Sequence, residues 1–302
     1  MNQSYFLGAN SRDGFISLYG YFPRPEGDFL HIVKGGPGTG KSSFMRRLGR
    51  AAEARGLETH YVLCSGDPGS LDGVYVPALH RAWVDGTAPH VSEPRCFGVD
   101  ADYVNLGQFC RTPFAAADAA GVRELTRRCR KKYAEAYRLL GEGRVEEARD
   151  AAAPEPEELL AGLDEAAARP IYPERRFLHA LSCEGELYLT EEIKKLCPDC
   201  RRVPSASLPL LSRELERRRL PALRCPLPLD ASRLEAVLLP WAGRGFVADW
   251  TLRGLGPALE ALREGKRLHD ELEAVSRRYM DFAALEDFTE RTAARVMQEA
   301  GV

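Results

Sequence analysis

The chain is 302 residues long, enough for one large domain or two of ordinary size. Its 42 basic and 44 acidic residues leave a formal charge of −2, so no global field favours nucleic acid or an anionic membrane. No apolar run approaches a membrane span, and the start, Met1-Asn2-Gln3-Ser4-Tyr5-Phe6, has no secretory pattern. A cytoplasmic protein is expected.

The first segment of note, Phe6-Leu7-Gly8-Ala9-Asn10-Ser11-Arg12-Asp13-Gly14, returns in altered form later in the chain. Phe29-Leu30-His31-Ile32-Val33 then reads as a buried strand. It enters Gly35-Gly36-Pro37-Gly38-Thr39-Gly40-Lys41-Ser42, where glycine, four residues and Gly-Lys-Ser make a complete phosphate-binding loop. Glycine admits backbone conformations closed to other residues, so successive N–H groups can turn inward around phosphate oxygens. Lys41 is placed to reach the β- and γ-phosphates, and the Ser42 hydroxyl to ligate Mg2+. Ser43-Phe44-Met45-Arg46-Arg47-Leu48 reads as the helix that leaves the loop, with Met45, Leu48 and Ala52 on one face. Its N-terminus aims the positive end of the helix dipole at the phosphates. Gly35, Gly36, Pro37, Gly38, Thr39, Gly40, Lys41, Ser42 and Ser43 are therefore the expected nucleotide contacts, with ATP and Mg2+ as cofactors.

A second apolar run, Tyr61-Val62-Leu63, closes at Cys64, and Asp67 follows. A third, Ala82-Trp83-Val84, ends at Asp85 with Gly86 next, where a strand must turn. A phosphate loop needs a carboxylate at the end of a neighbouring strand to hold Mg2+. Asp85 is the expected metal ligand, although an aspartate before glycine also starts turns. Asp67 would sit at the same carboxyl edge of the sheet. Asp67 or Asp72 would orient the attacking water or accept a proton, and the Asp67-Pro68-Gly69 segment equally suits an Asx turn. His90 is a further candidate for the γ-phosphate. Arg81, Arg95 and Arg111 are candidate arginine fingers by nearness in sequence alone, and none is assigned.

Val122, Leu125, Cys129, Tyr133, Tyr137 and Leu140 recur at helical spacing. Arg123, Arg127, Arg128, Arg130, Lys131 and Lys132 of the same segment fit the solvated face of that helix better than a nucleic-acid patch. Ala151-Ala152-Ala153-Pro154-Glu155-Pro156 punctuates the chain, a helix is expected from Glu157 to Ala168, and Arg169-Pro170 marks a boundary. Residues 1–170 are thus expected as a nucleotide-binding domain carrying a helical region at about 112–168. Residues 171–302 are expected as a second, altered copy with C-terminal helices.

The case for a copy is the recurrence of pattern. Phe177-Leu178-His179-Ala180-Leu181-Ser182-Cys183-Glu184-Gly185 matches the segment from Phe6 without a gap. Leu71-Asp72-Gly73-Val74-Tyr75-Val76-Pro77 resembles Leu234-Glu235-Ala236-Val237-Leu238-Leu239-Pro240, and Cys225 answers Cys64. Where a second phosphate loop belongs stands Arg201-Arg202-Val203-Pro204-Ser205-Ala206-Ser207-Leu208-Pro209, with neither glycine nor Lys-Ser. The runs before Cys225 and before Asp249 are expected as neighbouring parallel strands. Leu268, Leu272, Val275 and Tyr279 form another helical stripe, and a last helix is expected from about Ala284. Of the eight cysteines only Cys197-Pro198-Asp199-Cys200 is spaced like a metal or redox pair, and no second pair accompanies it.

In these segments the chain resembles a bacterial, clostridial-type family of duplicated P-loop ATPases. The likeness is carried by residues 29–43, by the stretch from Cys64 to Gly73, and by Asp85-Gly86-Thr87-Ala88-Pro89-His90. Phe177 to Gly185, Leu268-His269-Asp270-Glu271-Leu272-Glu273 and Met280-Asp281-Phe282 add to it. The resemblance implies ATP binding without an established substrate, and it implies a second Gly-Lys-Ser loop that this chain has lost. The expected architecture is α/β: a three-layer P-loop NTPase fold with a mostly parallel sheet, internally duplicated, its second copy degenerate, with helical insertions. The expected activity is ATP hydrolysis, with Lys41, Asp85 and Asp67 as catalytic residues. Transfer to a small-molecule or nucleotide acceptor, and a nucleotide-gated switch that recruits partners, stay open beside it.

Overall fold

The lengths of two links decide the central sheet. The computed structural model describes residues 2–23, 27–89, 91–147 and 153–299. The chain opens with β1 (Gln3–Phe6) and a hairpin of β2 (Gly8–Ser11) and β3 (Gly14–Ser17). β4 (Phe29–Lys34), α1 (Lys41–Glu53), β5 (His60–Leu63), β6 (Leu71–Val76), β7 (Arg81–Asp85) and β8 (Ala101–Asn105) follow. One six-stranded sheet results, in the order β1-β5-β6-β7-β4-β8. β4 pairs in parallel with β7 and β8, and β1 with β5. β6 is antiparallel to both of its neighbours.

The expected three-layer, mostly parallel P-loop NTPase fold with a duplicate copy is corrected by this arrangement: the protein is a mixed α/β structure of several small sheets, some antiparallel. A parallel return needs a crossover of about a dozen residues or more, usually a helix. From β5 to β6 the chain has only the turn at Asp67-Pro68-Gly69, closed by the Ser70 N–H donating to the Asp67 carbonyl (2.8 Å). From β6 to β7 it has a single 3₁₀ turn at Pro77–Leu79, ended by His80 at φ 53°. Neither link holds a crossover, so β6 folds back.

In the second part, α2 (Ala116–Gly141), β9 (Arg144–Glu147) and α3 (Pro156–Leu160) precede a hairpin of β10 (His179–Ser182) and β11 (Gly185–Tyr188). Next come α4 (Thr190–Leu196), β12 (Asp199–Val203), α5 (Ser207–Arg217), β13 (Leu223–Pro226), β14 (Leu234–Leu239) and β15 (Arg244–Ala248). β16 (Trp250–Arg253), α6 (Gly256–Arg277) and α7 (Phe282–Glu299) complete the described chain. A separate four-stranded sheet forms in the order β12-β15-β14-β13, and only its β12/β15 pair is parallel. The runs before Cys225 and Asp249 are therefore not neighbours, a second correction. β14 lies between β13 and β15, antiparallel to both, for the same reason: a 3₁₀ turn at Pro240–Ala242 is the whole link to β15. Strand for strand, β4-α1-β5-β6-β7 and β12-α5-β13-β14-β15 nonetheless follow one order. In each, the last strand is parallel to the first and antiparallel to the one before it.

Two packing features place the loop. α1 buries Phe44, Met45, Leu48 and Ala52, one continuous stripe, against the sheet. Removing the Leu48 side chain to its β-carbon would cost about 2–5 kcal/mol, because no space there is open to solvent. α7 packs on the outer side of α1, with the rings of Phe44 and Phe288 stacked at 6.0 Å. α6 lies along α2, burying Ala136, Ala261 and Leu262 between them. Its C-terminal end reaches the loop. The main core is continuous across residue 170, joining Tyr5, Phe6 and Leu7 to Phe177, Leu223 and Cys225. Phe6 and Phe177 also exchange backbone hydrogen bonds at 2.9 Å in both directions. Among the described residues no helix is long and apolar enough to cross a membrane.

Candidate functional site

β4 delivers its last residue, Lys34, to the edge of the sheet, and the chain then turns sharply. Two positions of the turn are clearly left-handed. Gly38 and Gly40 have φ of 74° and 84°, in the left-handed region. A side chain is also excluded by neighbours: a β-carbon on Gly38 would lie 2.8 Å from the Glu273 carbonyl oxygen, and one on Gly40 2.8 Å from Leu285 Cδ2. Thr39, buried, donates its hydroxyl to the Gly36 carbonyl at 2.8 Å and ties the loop across. Pro37 and Gly36 form its outer tip, with Gly36 exposed.

Lys41 opens α1 and folds back over the loop. Its Nζ donates to the carbonyls of Gly35 (2.9 Å) and Gly36 (3.1 Å) and lies 3.6 Å from Asp85 Oδ2. The two side chains are 11% and 15% exposed, so the ion pair is largely withdrawn from water. Asp85 arrives there because β7 pairs with β4 in register, Asp85 opposite Val33. Its other oxygen accepts from the Thr87 N–H (2.8 Å) and hydroxyl (2.5 Å). Burial raises the Asp85 pKa, and Lys41 and Thr87 oppose that shift. Ser42 Oγ accepts from the Leu71 N–H at 2.9 Å, which fastens the helix start to β6. Ser43 points outward and is exposed.

Asp67 is turned elsewhere. Its carboxylate accepts from the Ser70 hydroxyl (2.8 Å) across the turn that the Ser70 N–H closes, and pairs with Lys266 of α6 (3.3 Å). Arg81 stands at the opposite end of β7 from Asp85, over the Phe29 ring and near Glu299. Arg111 donates to the Arg278 carbonyl, and Arg95 is exposed. His90 lies outside the described residues.

Three further side chains stand around the site, and of them Asp72 is expected from the sequence. Asp72 is 4% exposed and precedes Gly73, which pairs with Val84, the residue before Asp85. Burial raises the pKa of Asp85, Tyr19 and Cys64, and the Asp72 charge adds to each shift. α6 brings Glu273 and Arg277 to the loop backbone. The hydrogen bond from His269 holds the Glu273 pKa down, with Lys41 adding to the effect. Cys129 and Glu273 raise that of His269 to about 9.

Ser42 and Asp85 each carry an oxygen of the type that Mg2+ accepts, and both oxygens are engaged within the protein, Ser42 Oγ by the Leu71 N–H and the Asp85 carboxylate by Thr87 and Lys41. Mg2+ takes one or two protein oxygens when phosphate oxygens complete its octahedron, and the Ser42 hydroxyl and Asp85 carboxylate are such a pair. Among the described residues no group of three or more His, Cys, Asp or Glu side chains is disposed to hold a metal without such help. Cys197, buried, has its thiol pushed up to about 12 by burial, and burial also raises that of Cys200, so neither is an activated thiolate. No protein-family model, no curated protein and no solved structure matches the chain.

Proposed function

We propose that the chain binds a nucleoside triphosphate with Mg2+ on the loop of residues 35–43 and hydrolyses ATP. The observation that carries this reading is Lys41 Nζ held 3.6 Å from Asp85 at a Gly-Lys-Ser helix start, with Gly38 and Gly40 in the left-handed conformation that the loop requires. Bound phosphates would take the Lys41 ammonium in place of the Gly35 and Gly36 carbonyls, and the N–H groups of the loop and of the first turn of α1 would line the anion. Ser42 and Asp85 would hold the Mg2+ that accompanies the nucleotide, which would neutralise charge on the phosphates. Lys41 stabilises the charge that gathers as the γ-phosphoryl leaves.

The test is thermal. At a ligand concentration about 100-fold above Kd, binding stabilises the folded state by about 2.7 kcal/mol, so ATP with Mg2+ should raise the melting temperature of the wild type. Lys41→Ala should fold and show no such rise. An equal ATP-dependent shift in both proteins would remove the basis of the proposal.

A further inference from the structure

α6 ends against the phosphate loop, and its last turn places a cation there. The Arg277 stem runs along the loop backbone: a β-carbon on Gly38 would lie 3.1 Å from Arg277 Cγ. The residue is exposed, and its guanidinium lies 5.6 Å from the centre of the Phe282 ring. Neighbouring cations are already engaged. Lys266 pairs with Asp67, Arg278 with Asp118, and Arg46 donates to the Gly69 carbonyl. Among the described residues Arg277 has no ion-pair partner. A cation–π contact at an exposed site is weaker than charge-assisted hydrogen bonds to phosphate.

We propose that Arg277 is an arginine finger supplied within the chain, donating to the terminal phosphate of a nucleotide held by residues 35–43. The assignment rests on the nucleotide reading above. In the hydrolytic step, water oxygen bonds to the γ-phosphorus as the bond from that phosphorus to the β,γ-bridging oxygen breaks. ADP, inorganic phosphate and a proton result, and Arg277 is unchanged covalently. Its role is to hold the equatorial oxygens as their charge builds, which a planar two-pronged donor does better than an ammonium. Because the finger comes from α6, turnover depends on that helix staying seated on Gly38.

The full-length wild type, Arg277→Ala and Arg277→Lys are titrated with ADP and with a non-hydrolysable ATP analogue in Mg2+, and assayed for phosphate release from ATP. ADP affinity should be unchanged in both variants. In Arg277→Ala, affinity for the analogue should fall about tenfold and phosphate release roughly 10³-fold, with Arg277→Lys between it and the wild type. If the alanine variant loses its folded melting transition, the lysine variant, which keeps the stem, decides by the same criteria. If the wild type binds but releases no phosphate, the ratio of the two affinities decides alone. An Arg277 variant equal to wild type in every readout, or one that weakens ADP and the analogue equally, overturns the arginine assignment and leaves the nucleotide site standing. A wild type that binds neither nucleotide overturns the underlying reading and this one with it.

Discussion

Asp85 ionises in surroundings that oppose a charge. Burial raises its pKa, and the Lys41 ammonium 3.6 Å away only partly offsets that. A carboxyl whose pKa is higher folded than unfolded holds its proton more tightly in the native state. The stability linked to that proton is present below the ordinary carboxylate value and is lost as pH rises through the raised one. Asp85→Asn keeps the shape and removes the charge, so the empty variant escapes this loss. Its melting temperature relative to wild type should therefore climb as pH rises from the ordinary carboxylate value of about 4 toward neutrality. With ATP and Mg2+ the order should reverse, because the metal has lost its carboxylate while the loop N–H groups still cradle the phosphates. Melting curves of both proteins across that range, with and without ligand, check both statements. A difference that is flat or shrinks with pH in the absence of ligand would show that Asp85 is not a strained charge.

At the scale of elements, the loop is a contact between α1 and α6 as much as a turn. Gly38 touches the Glu273 backbone, which cannot yield as a flexible side chain would. Gly38→Ala should lift the end of α6, costing about 1–3 kcal/mol for the forced fit and roughly 1 more for the left-handed φ. Gly36→Ala is the control, since nothing lies within 4 Å of its would-be β-carbon. Denaturant midpoints, with amide exchange along 270–277, measure the effect. Equal midpoints for the two variants would mean that α6 is not seated on the loop. The same elements show what could be read beforehand. β4, the loop and α1 were legible because their signals are local: an apolar run, glycine spacing and a one-faced helix. The reversal of β6 was also written locally, in Asp67-Pro68-Gly69 and in Pro77, and was overlooked because a phosphate loop suggests parallel neighbours. Glu273 and Arg277 were illegible. They meet the loop through the packing of a helix more than two hundred residues away, which no spacing encodes.

For the whole molecule, the two halves share an order of elements and one continuous core, yet only one carries the loop chemistry. At the point matching residues 35–40, β12 passes to α5 through Pro204-Ser205-Ala206. Proline there removes a backbone donor, and without glycine the link cannot readily form an inward nest of N–H groups. The cations nearby are engaged, Arg201 with Asp199 and Arg202 with Asp249. No lysine opens α5; its first residue is Ser207, fully buried. The second half contributes instead by position. Phe177, Leu223 and Cys225 bury the underside of β1, while α6 and α7 wall the first loop at Gly38 and Gly40. One nucleotide per chain is therefore expected. Calorimetric titration with a non-hydrolysable ATP analogue should give a stoichiometry of one in the wild type and no saturable binding in Lys41→Ala. Arg202→Ala, which alters only the β12 edge, should leave both the stoichiometry and the affinity as in wild type. A second site, or a site that persists in Lys41→Ala and disappears in Arg202→Ala, would place nucleotide on the half that has no loop for it.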